Sequence, residues 1–300
     1  MLNEFVSNLK RNPLNIYKIK FMKNLATLTL LFISLYTFSQ SPWTKKKGEF
    51  YTQLSFTTIP SYDMLFGDPN YRINGKISDN TLQFYNEYGV SDKTTLILNL
   101  PYKIIKHNGL VNPCLIAPCP EYSNKKNALG NIEIGLKHNF YNKGWLISGQ
   151  FSMEANTGSF DANSGIRTGY GAYTFTPLFL VGKGFGKSYV QTFAGTRIRT
   201  NNYSSNFKIG GEYGKKVGNS IWLIGFLDIE KSFTNENIVL PESNLSTGLY
   251  VNDQEYGVVG VKAIGEFSDN SGITASLPAA FFGNNVAQQI AFSFGIYKKF

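Results

Sequence analysis

The sequence predicts a transmembrane antiparallel up-and-down β-barrel of about twelve strands, with short periplasmic turns and long extracellular loops. Three observations lead there. The last eleven residues alternate with a period of two, a short apolar run lies near the start, and the connections alternate between short and long.

In the last eleven residues Ile290, Phe292, Phe294, Ile296 and Phe300 fall on one parity, and Ala291, Ser293, Gly295, Tyr297 and Lys299 on the other. That is a strand with one greasy face and one small or polar face. A strand that seals a barrel in an outer membrane has this form, because its greasy face meets lipid. Phe300 is then read as a C-terminal assembly signal for the barrel-assembly machinery.

Near the start, Met22-Lys23 precedes an apolar run over 25–35, and Thr37 and Ser39 are small residues two apart. This suits export with cleavage after Ser39, and the run is too short for a comfortable transmembrane helix. No Cys sits at the cleavage point, which argues against a lipoprotein. The expected organisation is a misassigned extension over 1–21, a signal peptide over 22–39, a short periplasmic segment over 40–47 and an outer-membrane barrel over 48–300. The competing reading makes 1–21 a cytoplasmic extension before an anchor helix.

Cleavage would remove five of the 29 basic and one of the 20 acidic residues, leaving 24 against 19. The charges are scattered. Lys45-Lys46-Lys47 is the one run and reads as a solvated flank. Nothing resembles a nucleic-acid footprint, so no nucleic-acid partner is expected. No stretch of 18 apolar residues follows, while 24 Phe and 18 Tyr make the chain rich in aromatics. Helix-period stripes are absent.

Twelve strand segments follow in order. The first, 48–58, sets Phe50, Leu54 and Phe56 against Glu49, Tyr51, Gln53 and Ser55. The second, 81–88, sets Leu82 and Phe84 against Gln83, Tyr85 and Glu87; the third, 94–102, alternates Leu96, Leu98 and Leu100 with Ile97 and Asn99. The fourth, 130–140, opposes Ile134 and Leu136 to Glu133 and Lys137; the fifth, 145–156, opposes Phe151 and Met153 to Gln150, Ser152 and Glu154. The segments 170–181, 189–200 and 206–213 are weaker, and the sixth reads in either parity. The ninth, 221–231, sets Leu223, Leu227 and Ile229 against Asp228 and Glu230. The segments 255–267, 273–282 and 286–300 complete the set.

Connections after the even-numbered segments up to the tenth are short and turn-like: 90–93, 142–144, 182–187, 214–219 and 268–272. The long ones, 59–80, 103–129, 157–169 and 234–254, all fall on the other rim. This alternation is that of an up-and-down barrel; a soluble all-β sandwich is the alternative, with its polar faces as surface.

Five segments carry a resemblance: 85–96 (YNEYGVSDKTTL), 98–102 (LNLPY), 129–137 (LGNIEIGLK), 154–158 (EANTG) and 193–197 (FAGTR). In this order they resemble the Gram-negative outer-membrane family named for the meta-pathway of phenol degradation. That family is similar in turn to long-chain fatty acid and aromatic-hydrocarbon transporters. The resemblance spans about 45–300, and the Ser-Gln after the signal run resembles Bacteroidetes-type secreted proteins. It implies a barrel that passes small apolar compounds. Only 40–47 precedes the first strand, far fewer residues than a lumen-filling N-terminal domain needs, which departs from the fatty-acid transporters.

Placing the polar parity inward puts Glu49, Glu87, Glu133, Lys137, Glu154, Arg197, Arg199, Lys208, Glu212, Asp228, Glu230, Lys262 and Glu266 in the lumen. A basic side chain facing lipid at midplane would cost about 2–4 kcal/mol. Two readings stand open: charges that pair across and fill the lumen, or a charged water path that selects solutes. Cys114 and Cys119, in an exported chain and flanked by prolines, are expected to form one disulfide in an external loop. Their spacing, without nearby ligands, speaks against zinc.

No enzyme is expected. A lipase on a barrel wall needs Ser beside His, and the two histidines offer little. His138 has lipid-facing parity with Ser148 pointing inward, and His107 lies in a loop with no partner in view. Trp145, Tyr102, Tyr141, Tyr189 and Trp222 suit an interfacial girdle. The expectation is therefore an outer-membrane passive channel or transporter for small, hydrophobic or aromatic solutes, with membrane lipid as its partner and no cofactor. The alternative is a closed-lumen structural or surface-interaction barrel. An open lumen, or a lateral gap between strands, separates the two.

Overall fold

A computed structural model of the protein describes residues 40–109, 124–233 and 237–300. The expected extension and signal peptide over 1–39, and Cys114 with Cys119, lie outside the described residues.

The described residues form fourteen strand segments and one short helix. They are β1 Phe50–Phe66, β2 Tyr71–Ser91, β3 Thr94–His107, β4 Lys125–Leu129, β5 Ile132–Lys143, β6 Trp145–Ala155, β7 Thr174–Gly184, β8 Ser188–Arg199, β9 Asn206–Val217, β10 Ile221–Ser232, α1 Glu242–Thr247, β11 Glu255–Ser268, β12 Ser271–Asn284, β13 Val286–Ala287 and β14 Phe292–Lys299. β4 and β5 both pair with β3, and β13 and β14 both pair with β1, so the segments make twelve staves. Each stave is antiparallel to its sequence neighbours, and β1 pairs with both β2 and β14, which closes the barrel. The expected fold class is the observed one.

The period-two pattern explains the wall. Phe50, Leu54, Phe56, Leu136, Phe151, Phe179, Leu223, Phe294 and Ile296 are each exposed on its outside. Their neighbours along each strand, such as Ser55, Thr57, Lys137, Ser152 and Tyr297, are buried inside. A belt of this kind is stable only against hydrocarbon. The sixth segment, ambiguous in sequence, turns Thr174, Thr176, Leu178 and Leu180 inward and Phe179 outward.

One rim carries only tight turns, between β2 and β3, β5 and β6, β7 and β8, β9 and β10, and β11 and β12. Gly144, Gly186 and Gly218 supply the positive φ these turns need. The other rim carries the long connections, and here the sequence reading needs correction. Residues 59–80 are not a loop. β1 and β2 continue as one hairpin, paired from Phe50↔Tyr88 up to Leu65↔Tyr71, with only 67–70 as its turn. Ile59, Tyr62, Leu65, Ile73 and Ile77 hold the extension by packing with Ile105 of β3, Ile166 and Leu249. Ile166 comes from the connection 156–173 and Leu249 from the segment after α1, so both loops fold inward over that rim. Arg167 Nε donates to Asn244 Oδ1 (2.8 Å) and Thr247 Oγ1 to the Gly165 carbonyl (2.8 Å), which locks one loop to the other.

The last expected strand is split. β13 pairs with Leu65 and Phe66 of β1, and β14 pairs with Tyr51 to Thr58. Phe300 itself is 65% exposed, and its N–H donates to the Phe50 carbonyl (2.9 Å). In the reading of Phe300 as an assembly signal, Phe300→Ala lowers the amount of folded protein in the outer membrane at equal synthesis. Heat-modifiable migration of membrane fractions measures this, and unchanged assembly removes that role.

Candidate functional site: the lumen

Inward-facing charges are brought together in sets. Glu230 of β10 is at the centre of the largest. Arg199 Nη2 lies 3.0 Å from its Oε1, Arg197 Nη1 3.2 Å and Lys208 Nζ 3.9 Å from its Oε2, and the Tyr256 hydroxyl donates to it (3.0 Å). Arg197 also bridges to Glu154 (2.5 Å) and Lys208 to Asp228 (2.8 Å). The register makes this possible: Glu230 lies opposite Lys208, and β6, β8, β9 and β10 all present the same inner parity. Arg199 also stacks over the Tyr170 ring at 4.3 Å.

Nearer the short-turn rim, Glu87 is held between Lys137 (2.9 Å) and Lys45 (3.3 Å). Lys262 meets Glu212 (2.7 Å), which also accepts from the Tyr189 hydroxyl (2.6 Å). Glu266 pairs with Lys216 (2.5 Å) and accepts from Trp222 Nε1 (3.2 Å). Glu133 stands apart: Asn99 Nδ2 donates to it (3.3 Å), and no described Lys or Arg comes within ion-pair distance. Glu49 is not in the lumen. It is exposed in the turn before β1, where its carboxylate accepts from the Lys46 N–H (3.0 Å).

Sequence reasoning missed Asp79 and Lys103, which pair at 2.9 Å on the inner face of the extended strands. It read both positions as loop. It also missed an apolar side of the lumen. Leu178, Leu180 and Phe193 form one buried cluster, and Ile224 and Phe226 are buried on β10 with the same inward parity. The assumption of a polar interior hid them.

Lys45 is likewise no free flank. The segment 40–46 turns into the barrel at the short-turn rim. The Ser148 hydroxyl, buried on the inner wall, donates to the Pro42 carbonyl (2.6 Å), and the Lys45 N–H donates to Thr95 Oγ1 (2.8 Å). Trp43 meets Tyr189 edge-on at 5.7 Å, and Trp222 meets Tyr189 at a tilt at 5.6 Å. Tyr189 and Trp222 therefore face inward and not into a girdle, whereas Trp145, Tyr102 and Tyr141 are exposed outside. Gly182 is required by this entry: a Cβ there would lie 2.6 Å from the Pro42 ring.

Between the segment 40–46 and the folded-in loops is a cavity of about 600 Å³. Gln40 marks one end and Tyr250 and Leu249 the other. Burial in this loop contact holds the Tyr250 hydroxyl above its ordinary pKa. Arg197, Glu154 and Glu133 line one side, and Leu178, Phe193 and Phe226 another. The cavity also reaches Pro278, Ala280, Val286 and Ala291, beside the place where a ladder ends. Pairing of β12 with β14 stops at Ser276↔Ser293, and from Leu277 to Asn284 β12 is paired only with β11. Pro278, with no N–H to donate, suits a strand edge.

The two histidines are placed apart, each with its own partner. His138 faces outward, with Nδ1 2.9 Å from Thr94 Oγ1 and its ring against Phe140. His107 is not in a loop: it ends β3, is buried, and its Nε2 lies 2.7 Å from the Asn74 carbonyl. Among the described residues no group of three His, Cys, Asp or Glu side chains is placed to hold a metal.

Neither a protein-family model nor a curated protein sequence matches the chain. Its fold is similar to that of solved outer-membrane barrels. An outer membrane channel from Pseudomonas putida F1 superposes with a TM-score of 0.68 at 11% identity, over 88% of this chain and 100% of that one. The translocator domain of the autotransporter NalP from Neisseria meningitidis superposes with a TM-score of 0.50 at 12% identity, over 85% and 90%. The likeness is one of fold: a closed twelve-stave transmembrane barrel.

Proposed function

We propose that the protein is an outer-membrane channel that passes small solutes, hydrophobic and aromatic ones among them. The observation that carries this is the cavity of about 600 Å³ inside a closed barrel, charged on one side and apolar on the other. A chamber of this size fits one small organic molecule. The break between β12 and β14 supports the apolar part of the reading. A transporter of apolar solutes needs a lateral exit, which a closed structural barrel does not, and an interrupted ladder is where the wall is easiest to part. The resemblance to the phenol meta-pathway family points the same way. In this reading residues 22–39 direct export, the barrel-assembly machinery inserts the chain, and Cys114 and Cys119 form a disulfide in an extracellular loop.

Purified protein in planar bilayers tests the proposal. Discrete conductance steps in KCl are expected, together with uptake of toluene into proteoliposomes faster than into protein-free vesicles. No steps and no added uptake would overturn it and leave the closed structural barrel.

A further inference from the structure

The lumen charges are balanced almost pair by pair, with one exception inside the chamber. Asp79 has Lys103, Glu154 has Arg197, Glu212 has Lys262, and Asp228 and Glu230 share Arg197, Arg199 and Lys208. Glu133 lines the same cavity, and its polar neighbours are neutral: the amide of Asn99 and the hydroxyl of Ser152. Its partner in register across β5 and β6 is Glu154, another carboxylate, whose charge Arg197 already takes up. Arg197 is in turn committed to Glu230. Among the described residues of the chamber, Glu133 is therefore a carboxylate with no ion-pair partner of its own, Arg197 reaching it only at longer range. A carboxylate without a cation of its own, lining a solute path, favours an opposite charge in the solute.

We infer that Glu133 is the specificity-determining residue of the lumen: it is where the positive end of a permeating solute docks, and it tilts the chamber towards cations. The solute class is a small organic cation, an ammonium group on an aromatic or aliphatic body. The ammonium meets Glu133, and the body lies along the apolar side at Phe193 and Phe226. Phosphates and carboxylates are disfavoured at the same point. Lys45 opposes this at the short-turn mouth, since it and Lys137 together face the single carboxylate of Glu87. The inference rests on the channel reading.

Reversal potentials under a KCl gradient, and block by benzylammonium, test it in planar bilayers. Glu133→Gln keeps the shape and the Asn99 contact and removes the charge. It is expected to lower the cation-to-anion permeability ratio at least about twofold and to abolish benzylammonium block. Glu133→Lys should invert the preference, and Lys45→Met should shift it the opposite way. Folding of each variant is checked by heat-modifiable migration. Conducting, folded Glu133→Gln with unchanged ratio and unchanged block overturns the inference. Absence of conductance in the unmodified protein would instead remove the channel reading itself.

Discussion

Glu230→Ala is expected to destabilise the barrel by about 3–5 kcal/mol, because it leaves buried cations without their shared partner. Glu230 is 1% exposed in its side chain, and Arg199, which depends on it, 2%. Arg197 retains Glu154 and Lys208 retains Asp228, but Arg199 keeps only neutral acceptors: Asn206 and the Ser204 carbonyl (2.8 Å). The loss should fall mainly on that cation. A companion change, Arg199→Met, then restores part of the stability in the Glu230→Ala background, although alone it is itself destabilising. Urea unfolding in lipid vesicles, followed by tryptophan emission, gives the four corners of the cycle. A cost of under about 1 kcal/mol for Glu230→Ala would show that water in the lumen solvates these groups and that the network contributes little.

The second large effect is on conductance. Replacing Trp43 and Lys45 together by Ala should raise single-channel conductance severalfold, because the segment 40–46 narrows the short-turn mouth. Trp43 fills the space beside Tyr189, and Lys45 ties the chain to Glu87 and to Thr95. With both side chains gone, the hydrogen bonds from the residue-45 N–H to Thr95 and from Ser148 to the Pro42 carbonyl are left to hold the entry. The single changes should act less than the pair. Removing Lys45 alone changes ion preference more than pore width, so the difference between the double variant and Lys45→Ala isolates the obstruction. Equal conductance of the double variant and the unmodified protein would show that the segment does not limit flow.

The wall was legible because lipid imposes a simple rule on every second residue. Leu136 and Lys137 could not exchange places without putting a charge into hydrocarbon. Where that rule lapses, legibility lapses with it. Above the belt, β1 passes through two register shifts between Ile59 and Met64, so Ile59, Tyr62 and Leu65 no longer keep an even spacing. The 67–70 turn was hidden inside what read as a long polar loop. The parity of the lumen charges was readable, but their partners were not. Nothing local links Glu87 to Lys137 fifty residues later, or either to Lys45. Glu49 shared the polar parity yet lies just outside the first stave, where parity has no meaning. The short helix α1 was equally hidden, since six residues are too few to show a helical period.

The shortest join in the barrel is the one between β12 and β14. β14 is held by eight residue pairs to β1 and six to β12, whereas β1 and β2 share thirteen and β9 and β10 twelve. The stave that completes the circle thus has its weak grip on the β12 side. Opening need not strain the whole cylinder, because a single narrow slat beside an existing break in the ladder can swing while the rest keeps its curvature. The same slat, gripped by its end and drawn out of the bilayer, should come away first and alone, like the loose stave of a cask that still holds its hoops.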